Sequence, residues 1–218
     1  MAALKKIAIL TSGGDSPGMN AAIRAVARSA IAKGMEAVGV MRGFEGLLDG
    51  DFRTLGARDV GGIIHRGGTI LQTARSTRFM ELQWQDRAAG NLLDAGIQGL
   101  AVIGGGGSFQ GARELQKRGV AVAGIPGTID NDIAGTELAI GFRTAVETAL
   151  DAVMRLRDTA SSHDRLFVVE VMGGRSGFLA LDVAVAGGAE AVIVPEVQFS
   201  LGRLIDRLHE ARKKGKTH

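Results

Sequence analysis

The sequence predicts an α/β protein built on a doubly wound, mostly parallel sheet. Three observations carry that expectation. Short apolar, β-branched runs alternate with longer segments of helical periodicity, as consecutive βαβ units require. Glycine-rich polar turns follow several of the apolar runs, where open α/β sheets bind ligands. Glycine is abundant, at 33 of 218 residues, and aromatics make up only 4%. Small residues let a backbone approach a phosphate and let helices lie close to a sheet.

In chain order, the expected strands are Ile7–Leu10, Ala37–Val40, Leu100–Ile103, Val120–Ile125, Leu166–Val171 and Ala191–Val194. Each is short and rich in Val, Ile, Leu or Ala, as buried parallel strands are. The expected helices are Gly18–Ala32, Asp86–Ala95, Phe109–Lys117, Phe142–Arg157, Ser176–Ala186 and Leu201–Lys213. The fourth helix carries Phe142, Val146, Ala149, Leu150, Val153 and Leu156 at helical spacing, a face expected in the core. The chain length allows one large domain or two smaller ones. A boundary is placed near residue 138, giving domains 1–138 and 139–218.

Bulk properties narrow the function class. Cysteine is absent, so no disulfide supports the fold. No apolar stretch is long enough to span a bilayer, and Met1-Ala2-Ala3-Leu4-Lys5-Lys6 leads into a strand rather than a signal sequence. A soluble cytoplasmic protein is expected. The net charge is +3, and the basic residues do not interleave with aromatics, which argues against a nucleic-acid surface. The cluster Arg212, Lys213, Lys214 and Lys216 also suits a solvated helix end favoured by the dipole.

Four segments carry chemistry. The first expected strand runs into Thr11-Ser12-Gly13-Gly14-Asp15-Ser16-Pro17-Gly18-Met19-Asn20 and then a helix, a phosphate-binding arrangement when the helix N-terminus stays open to an anion. A tight turn capped by Asp15 or Ser16 is the plain alternative. The third expected strand runs into Gly104-Gly105-Gly106-Gly107-Ser108, four consecutive glycines whose entropic cost a simple turn rarely requires. Neither turn fits the dinucleotide fingerprint. The lone Gly215-Lys216-Thr217 lacks the first glycine of a P-loop.

Pro126-Gly127-Thr128-Ile129-Asp130-Asn131-Asp132 places two carboxylates, an amide and a hydroxyl after the fourth expected strand. Those groups suit a general base and a metal ligand, though turns favour the same residues. Arg66-Gly67-Gly68-Thr69 and Thr73-Ala74-Arg75-Ser76 form the remaining polar region, and Arg165 and Arg175 flank another strand. Guanidinium groups grip phosphate by paired hydrogen bonds. His65 and His163 are candidate bases, but a lone histidine beside an arginine is more often a structural hydrogen bonder.

Taken in order and spacing, Leu10–Arg24, Arg66–Arg75, Val102–Ser108, Gly124–Asp132, Leu156–Arg165, Val168–Gly173 and Ala186–Glu196 resemble the 6-phosphofructokinase family. The resemblance implies two Rossmann-like three-layer domains, the second incomplete. It implies phosphoryl transfer from ATP to the 1-hydroxyl of fructose 6-phosphate with Mg²⁺, and a homotetramer. It makes Asp130 the base, sets Thr128 at the transferring phosphoryl group and has Asp132 support substrate or metal. Gly14, Arg75, Ser76, Gly105, Gly106, Gly107 and Ser108 would hold ATP. Thr128, Ile129, Asp130, Arg165, Met172, Gly173 and Gly174 would meet the sugar phosphate, with Arg175 beside them in a catalytic role.

Diphosphate-dependent relatives carry Asp at the position of Gly107 and Lys at that of Gly127, so glycine at both implies ATP as donor. Arg24, Arg28, Arg157, Gly188, Ala189, Glu190, Lys214, Lys216, Thr217 and His218 fall where relatives bind ADP or phosphoenolpyruvate as effector. At one further effector position Ala57 replaces an arginine, with Arg58 next to it.

Three departures set expectations for activity. Gly106 stands where the family has the Asp associated with Mg²⁺. Gly174 stands where many members have the arginine, and Arg175 follows it. Family members continue beyond the position of His218, so the chain is expected to be a partial one. A catalytically weakened nucleotide- or effector-binding paralogue or fragment is the alternative reading. A dinucleotide-dependent oxidoreductase is disfavoured by the missing fingerprint.

Overall fold

The computed structural model describes residues 4–163 and 165–215. Tertiary contacts divide the chain into two units. The first is Met1–Thr128 with Ala139–Gly141, and the second is Ile129–Leu138 with Phe142–His218. This division falls ten residues before the boundary expected near 138 and returns briefly to the first unit at 139–141.

The first unit is one six-stranded sheet in the order β3-β2-β1-β4-β5-β6. β1 (Lys6–Thr11), β2 (Glu36–Val40), β4 (Gly99–Gly104), β5 (Ala121–Thr128) and β6 (Ile140–Gly141) run parallel, and β3 (Phe52–Thr54) pairs antiparallel with β2. Ile7 registers with Ala37 on one side and Gly99 on the other, so β1 is central. The helices are α1 (Met19–Ala32), α2 (Gly43–Asp49), α3 (Leu82–Asp94) and α4 (Gly106–Gln116).

Alternate residues of β1 feed opposite faces of the sheet. Ala8 and Leu10 join a core with Phe44, Leu47, Leu48, Leu92 and Leu115. Ile9 joins one with Met19, Ile23, Ala27, Leu55 and Leu71. Burial of a side chain such as Ile9 or Leu10, both fully buried, stabilises the fold by about 1.5–3 kcal/mol. β1, β2 and β4 read as continuous apolar runs because both faces are covered.

β5 does not follow that pattern. Ala121, Ala123 and Gly124 are exposed, contrary to the buried strand expected there. β6 meets β5 only at Gly127 and Thr128, so the earlier residues of β5 form an edge.

α2 and β3 escape sequence reading, because α2 is short and glycine punctuates it. Arg42, at φ 55, precedes it, and Gly50, at φ 70, ends it. Gly46 is buried within it, and a Cβ there would collide with the backbone carbonyl of Met41. Gly46→Ala is expected to cost about 3 kcal/mol or more, since the obstacle is backbone rather than a flexible side chain. A denaturant titration reads the loss.

The second unit holds α5 (Phe142–His163), α6 (Phe178–Gly187) and α7 (Leu201–Lys213). Its core is small: Phe142, Val146, Leu179 and Val183, flanked by half-buried Ile129, Ala145, Ala149, Val153 and Val171. Of the apolar face expected in the core on α5, only Phe142 and Val146 are buried; Ala149, Leu150, Val153 and Leu156 are half-buried.

Leu166–Val171 and Ala191–Val194 are not strands, a correction to the expectation. No described residue forms a ladder with either, and a β-branched run becomes a strand only against a hydrogen-bonded neighbour. Val168 is 87% exposed. Among the described residues the second unit therefore contains helices without a sheet.

Candidate functional site

In the strand order β3-β2-β1-β4-β5-β6, successive strands proceed to opposite sides of β1, so the switch point lies between β1 and β4. The polar loops of the first unit gather at the carboxyl ends of those strands. Ser12 N–H donates to the Ile103 carbonyl at 3.0 Å. A Cβ on Gly13 would lie 3.6 Å from Ser108 Oγ, and one on Gly104 would lie 2.6 Å from the Ser12 carbonyl. Glycine at 104 is thus a requirement of loop packing. The segment 66–76 closes over the same edge. Thr73 Oγ1 donates to the Gly13 carbonyl at 2.8 Å, and Thr11 Oγ1 to the Gln72 carbonyl at 2.9 Å.

Asn20 organises this loop. It is 1% exposed, donates to the carbonyls of Arg66 and Gly67 at 2.9 and 3.2 Å, and accepts from Ile70 N–H at 2.8 Å. Asn20→Ala leaves these groups unsatisfied near a buried position, and the fold is expected to lose about 2 kcal/mol. The shift in thermal midpoint checks it.

Both helices that start at this edge lack a side-chain cap. α1 begins after Gly18, in the left-handed region at φ 87, and α4 after Gly105. The capping role weighed for Asp15 or Ser16 is not taken up. Ser16 instead donates to the Ile140 carbonyl at 3.4 Å. In α1 the Met19 N–H already donates to the Ser16 carbonyl at 3.4 Å; the other first-turn N–H groups and the positive dipole ends remain available to an anion. Thr128 stands beside this loop: a Cβ on Gly105 would be 3.7 Å from its Cβ and 3.8 Å from its Oγ1.

Gly106 and Gly107 are exposed, and a Cβ on either meets no atom within 4 Å. Protein atoms would therefore not exclude a carboxylate at 107, which leaves charge repulsion as the barrier to a nucleotide phosphate. Gly127 differs. It is buried, and a Cβ there would stand 3.1 Å from Ile103 Cγ2, so a lysine meets resistance.

In the second unit, Asp130 is half-buried and Asp132 exposed. Asn131 between them is left-handed at φ 51, a conformation asparagine tolerates, and its Nδ2 donates to the Glu137 carbonyl at 3.1 Å. Burial, then the charge of Asp132, push the Asp130 carboxyl above the usual aspartate range. That makes it a stronger base than an exposed aspartate.

Ser176 Oγ donates to the Asp130 carbonyl at 2.8 Å, a contact with no sequence signal because the two residues lie 46 apart. A Cβ on Gly174 would be 3.1 Å from Asp130 Oδ2, and Gly174 is left-handed at φ 61. The loop Met172–Arg175 thus abuts the candidate base. An arginine at 174 would be strained and crowded in this conformation. Arg175 is exposed and makes no ion pair among the described residues. Arg165 is exposed after α5, and His163 and His65 are exposed.

Among the described residues no three His, Cys, Asp or Glu side chains cluster as a metal site. The Gly105–Ser108 turn, where the resemblance implies a metal-associated Asp, presents no carboxylate. That turn does not fit a protein-held Mg²⁺, an ion that needs oxygen ligands in near-ideal geometry.

Of the expected effector residues, Arg24 is more than a solvated charge: its Nη1 donates to the Val60 carbonyl at 2.6 Å. Arg28 is exposed. Arg157 donates to the Gly187 carbonyl, Gly188 ends α6 at φ 66, and Ala189 N–H donates to the Ala184 carbonyl at 2.9 Å. The Glu190 carbonyl accepts from Arg207 Nε at 2.8 Å, and Lys214 follows α7. Lys216, Thr217 and His218 lie outside the described residues.

The architecture and loops define an open, doubly wound α/β protein whose glycine turns and uncapped helices meet at the switch point. The phosphofructokinase family model matches residues 6–218. The ATP-dependent 6-phosphofructokinase of Natranaerobius thermophilus is 53% identical over 215 residues, covering 99% of this chain and 67% of that protein. The enzyme of the same name from Clostridium tetani is 54% identical with the same coverage. The chain belongs to the phosphofructokinase family.

Among solved structures, the phosphofructokinase of Saccharomyces cerevisiae superposes with a TM-score of 0.92 at 39% identity. It covers 98% of this chain, which spans 32% of the yeast chain. A pyrophosphate-dependent phosphofructokinase from Marinobacter aquaeolei, at 22% identity and TM-score 0.80, shares the fold. The chain spans 58% of that protein.

Proposed function

We propose that this chain carries the ATP-binding and phosphoryl-transfer apparatus of an ATP-dependent 6-phosphofructokinase, acting on fructose 6-phosphate in glycolysis. The observation that carries the reading is the convergence of the 11–15, 66–76 and 104–108 loops on the switch point, with Thr128 beside Gly105. The identity to enzymes named ATP-dependent 6-phosphofructokinase supports it.

In this reading the N–H groups at the starts of α1 and α4 receive the nucleotide phosphates, with Arg75 and Ser76 alongside. Thr128 contacts the transferring phosphoryl group. Asp130 takes the proton of the sugar 1-hydroxyl as the oxygen attacks, its basicity raised by burial and Asp132. Ile129, Arg165, Met172, Gly173, Gly174 and Arg175 serve the sugar phosphate. Positioning and electrostatics, rather than covalent chemistry, supply most of the rate in such transfers.

Mg²⁺ would accompany ATP, neutralising phosphate charge, and the glycine turn itself offers it no ligand. The outer set of Arg24, Arg28, Arg157, Gly188–Glu190 and Lys214 is assigned to an ADP or phosphoenolpyruvate effector. A homotetramer and a cytoplasmic location complete the reading.

Gly106 favours a second reading, a weakened catalyst that still binds nucleotide. A coupled assay for fructose 1,6-bisphosphate, run with ATP or diphosphate and with or without Mg²⁺, separates them. The first reading requires product with ATP alone as donor. Nucleotide binding without product supports the second.

A further inference from the structure

An ion-pair system in the first unit sits next to the nucleotide loop and is untouched by the reading so far. Glu45 lies in the first turn of α2 and accepts from two donors of Arg78, Nε at 2.9 Å and Nη2. The same Nη2 reaches Asp49 Oδ1 at 3.1 Å. The Arg78 guanidinium lies 5.1 Å from the ring centre of Trp84, the only tryptophan. Phe79, one residue on, packs against Phe44 of α2 with ring centres 4.3 Å apart.

These contacts lead directly to the loop. Phe79 N–H donates to Ser76 Oγ at 3.2 Å, and the Ser76 hydroxyl is a second partner of the Glu45 carboxylate. At the other end, Gly43 opens α2 so close to the loop that a Cβ there would lie 3.7 Å from both Ala74 N and its carbonyl oxygen. Residues 74–79 are therefore held to α2 at both ends. Arg78 is committed to Glu45 and Asp49, and Arg42 to Asp49 and Asp51. Arg75 between these anchors is exposed, and among the described residues its side chain makes no hydrogen bond or ion pair.

We propose that Glu45 and Arg78 form a positioning pair that fastens the Thr73–Ser76 segment to α2 and presents Arg75 to the nucleotide phosphates. The inference rests on the ATP-binding reading above. The Arg78–Glu45 contact differs from the two-donor Arg42–Asp51 contact in burial: the Glu45 side chain is 20% exposed, against 43% for Asp51. An exposed pair without this role stabilises a fold little and influences no ligand. Arg75 touches the nucleotide in this account, and Glu45 and Arg78 act through it.

The test uses the whole chain with Glu45→Gln, Arg78→Ala, Arg78→Lys and Arg75→Ala variants. Hydrogen exchange of the 73–80 amides reports fastening, and calorimetric titration with ATP reports affinity. Glu45→Gln and Arg78→Ala are expected to speed exchange in that segment and weaken ATP binding roughly tenfold, the scale on which groups that orient a contacting residue act. Arg78→Lys keeps the charge, loses the fork, and should fall between.

Arg75→Ala combined with Glu45→Gln should be no weaker than Arg75→Ala alone, a non-additivity that general destabilisation would not produce. Unchanged exchange overturns the fastening. Faster exchange with unchanged ATP affinity, or additive losses, overturns the presentation of Arg75. Failure of the unaltered chain to bind ATP overturns the nucleotide reading and the presentation with it, while the exchange result still judges the fastening.

Discussion

Asp130→Asn is expected to lower phosphoryl transfer by about 10²–10⁴-fold, the usual worth of a positioned general base. Nucleotide affinity should hardly change, because the loops proposed to hold the nucleotide belong to the first unit. The variant also carries a stability signature. Burial and Asp132 raise the Asp130 carboxyl above its ordinary range, so the folded chain prefers the protonated form.

The sign follows from that preference. Below the ordinary aspartate range the residue is protonated in both states, and no penalty exists. As pH rises through the elevated folded value, the ionised carboxylate costs the fold stability. The asparagine variant escapes that cost. It should be at least as thermostable as the parent at neutral pH, with the difference closing as the solution is acidified. Loss of activity together with loss of stability at neutral pH would contradict the role assigned to burial. Paired melting curves across pH and the coupled assay provide the two measurements.

Gly106→Asp is expected to act in the opposite direction on turnover. A Cβ at 106 meets nothing within 4 Å, and the residue begins α4, where a carboxylate suits the helix dipole by about 0.3–1 kcal/mol. The substitution should leave the fold equally or slightly more stable. In the proposed reading it supplies a hard oxygen ligand where the nucleotide phosphates are expected, so the rate should rise by an order of magnitude or more, as removal of a transition-state charge stabiliser costs about 10²–10³-fold. The rise should require Mg²⁺, read as a steeper dependence of rate on added metal. An unchanged rate and metal dependence would show that the missing carboxylate is not what limits this chain.

The first unit was largely legible in the sequence because its elements carry strong periodic signals. β1, β2 and β4 are buried on both faces and read as unbroken apolar runs. In the second unit, the expected helix Leu201–Lys213 has the bounds that α7 shows, because its charged and apolar residues alternate at helical spacing. What the sequence concealed depends on contacts between distant residues. α2 is only seven residues long, and nothing local announces that Glu45 will meet Arg78. The donation from Ser176 to Asp130, and the buried Asn20 beneath the 66–70 loop, are likewise products of tertiary packing.

Leu166–Val171 shows the reverse error. Its composition is that of a strand, but strand formation needs a hydrogen-bonded neighbour, and composition does not say whether one exists. Of the candidate site, the glycine turns and the Asp130 loop were found by residue type. Their division between two units, and the closeness of Gly174 to Asp130, appeared only in three dimensions.

The central claim is that this chain passes the terminal phosphoryl group of ATP to fructose 6-phosphate. A phosphorus-31 NMR time course with ATP, Mg²⁺ and fructose 6-phosphate tests it most directly. The account predicts that the γ-phosphate signal declines as a sugar 1-phosphate signal grows in equal measure, slowly for the parent and faster for Gly106→Asp. Free phosphate in place of the sugar phosphate, or transfer from diphosphate but not from ATP, would contradict it.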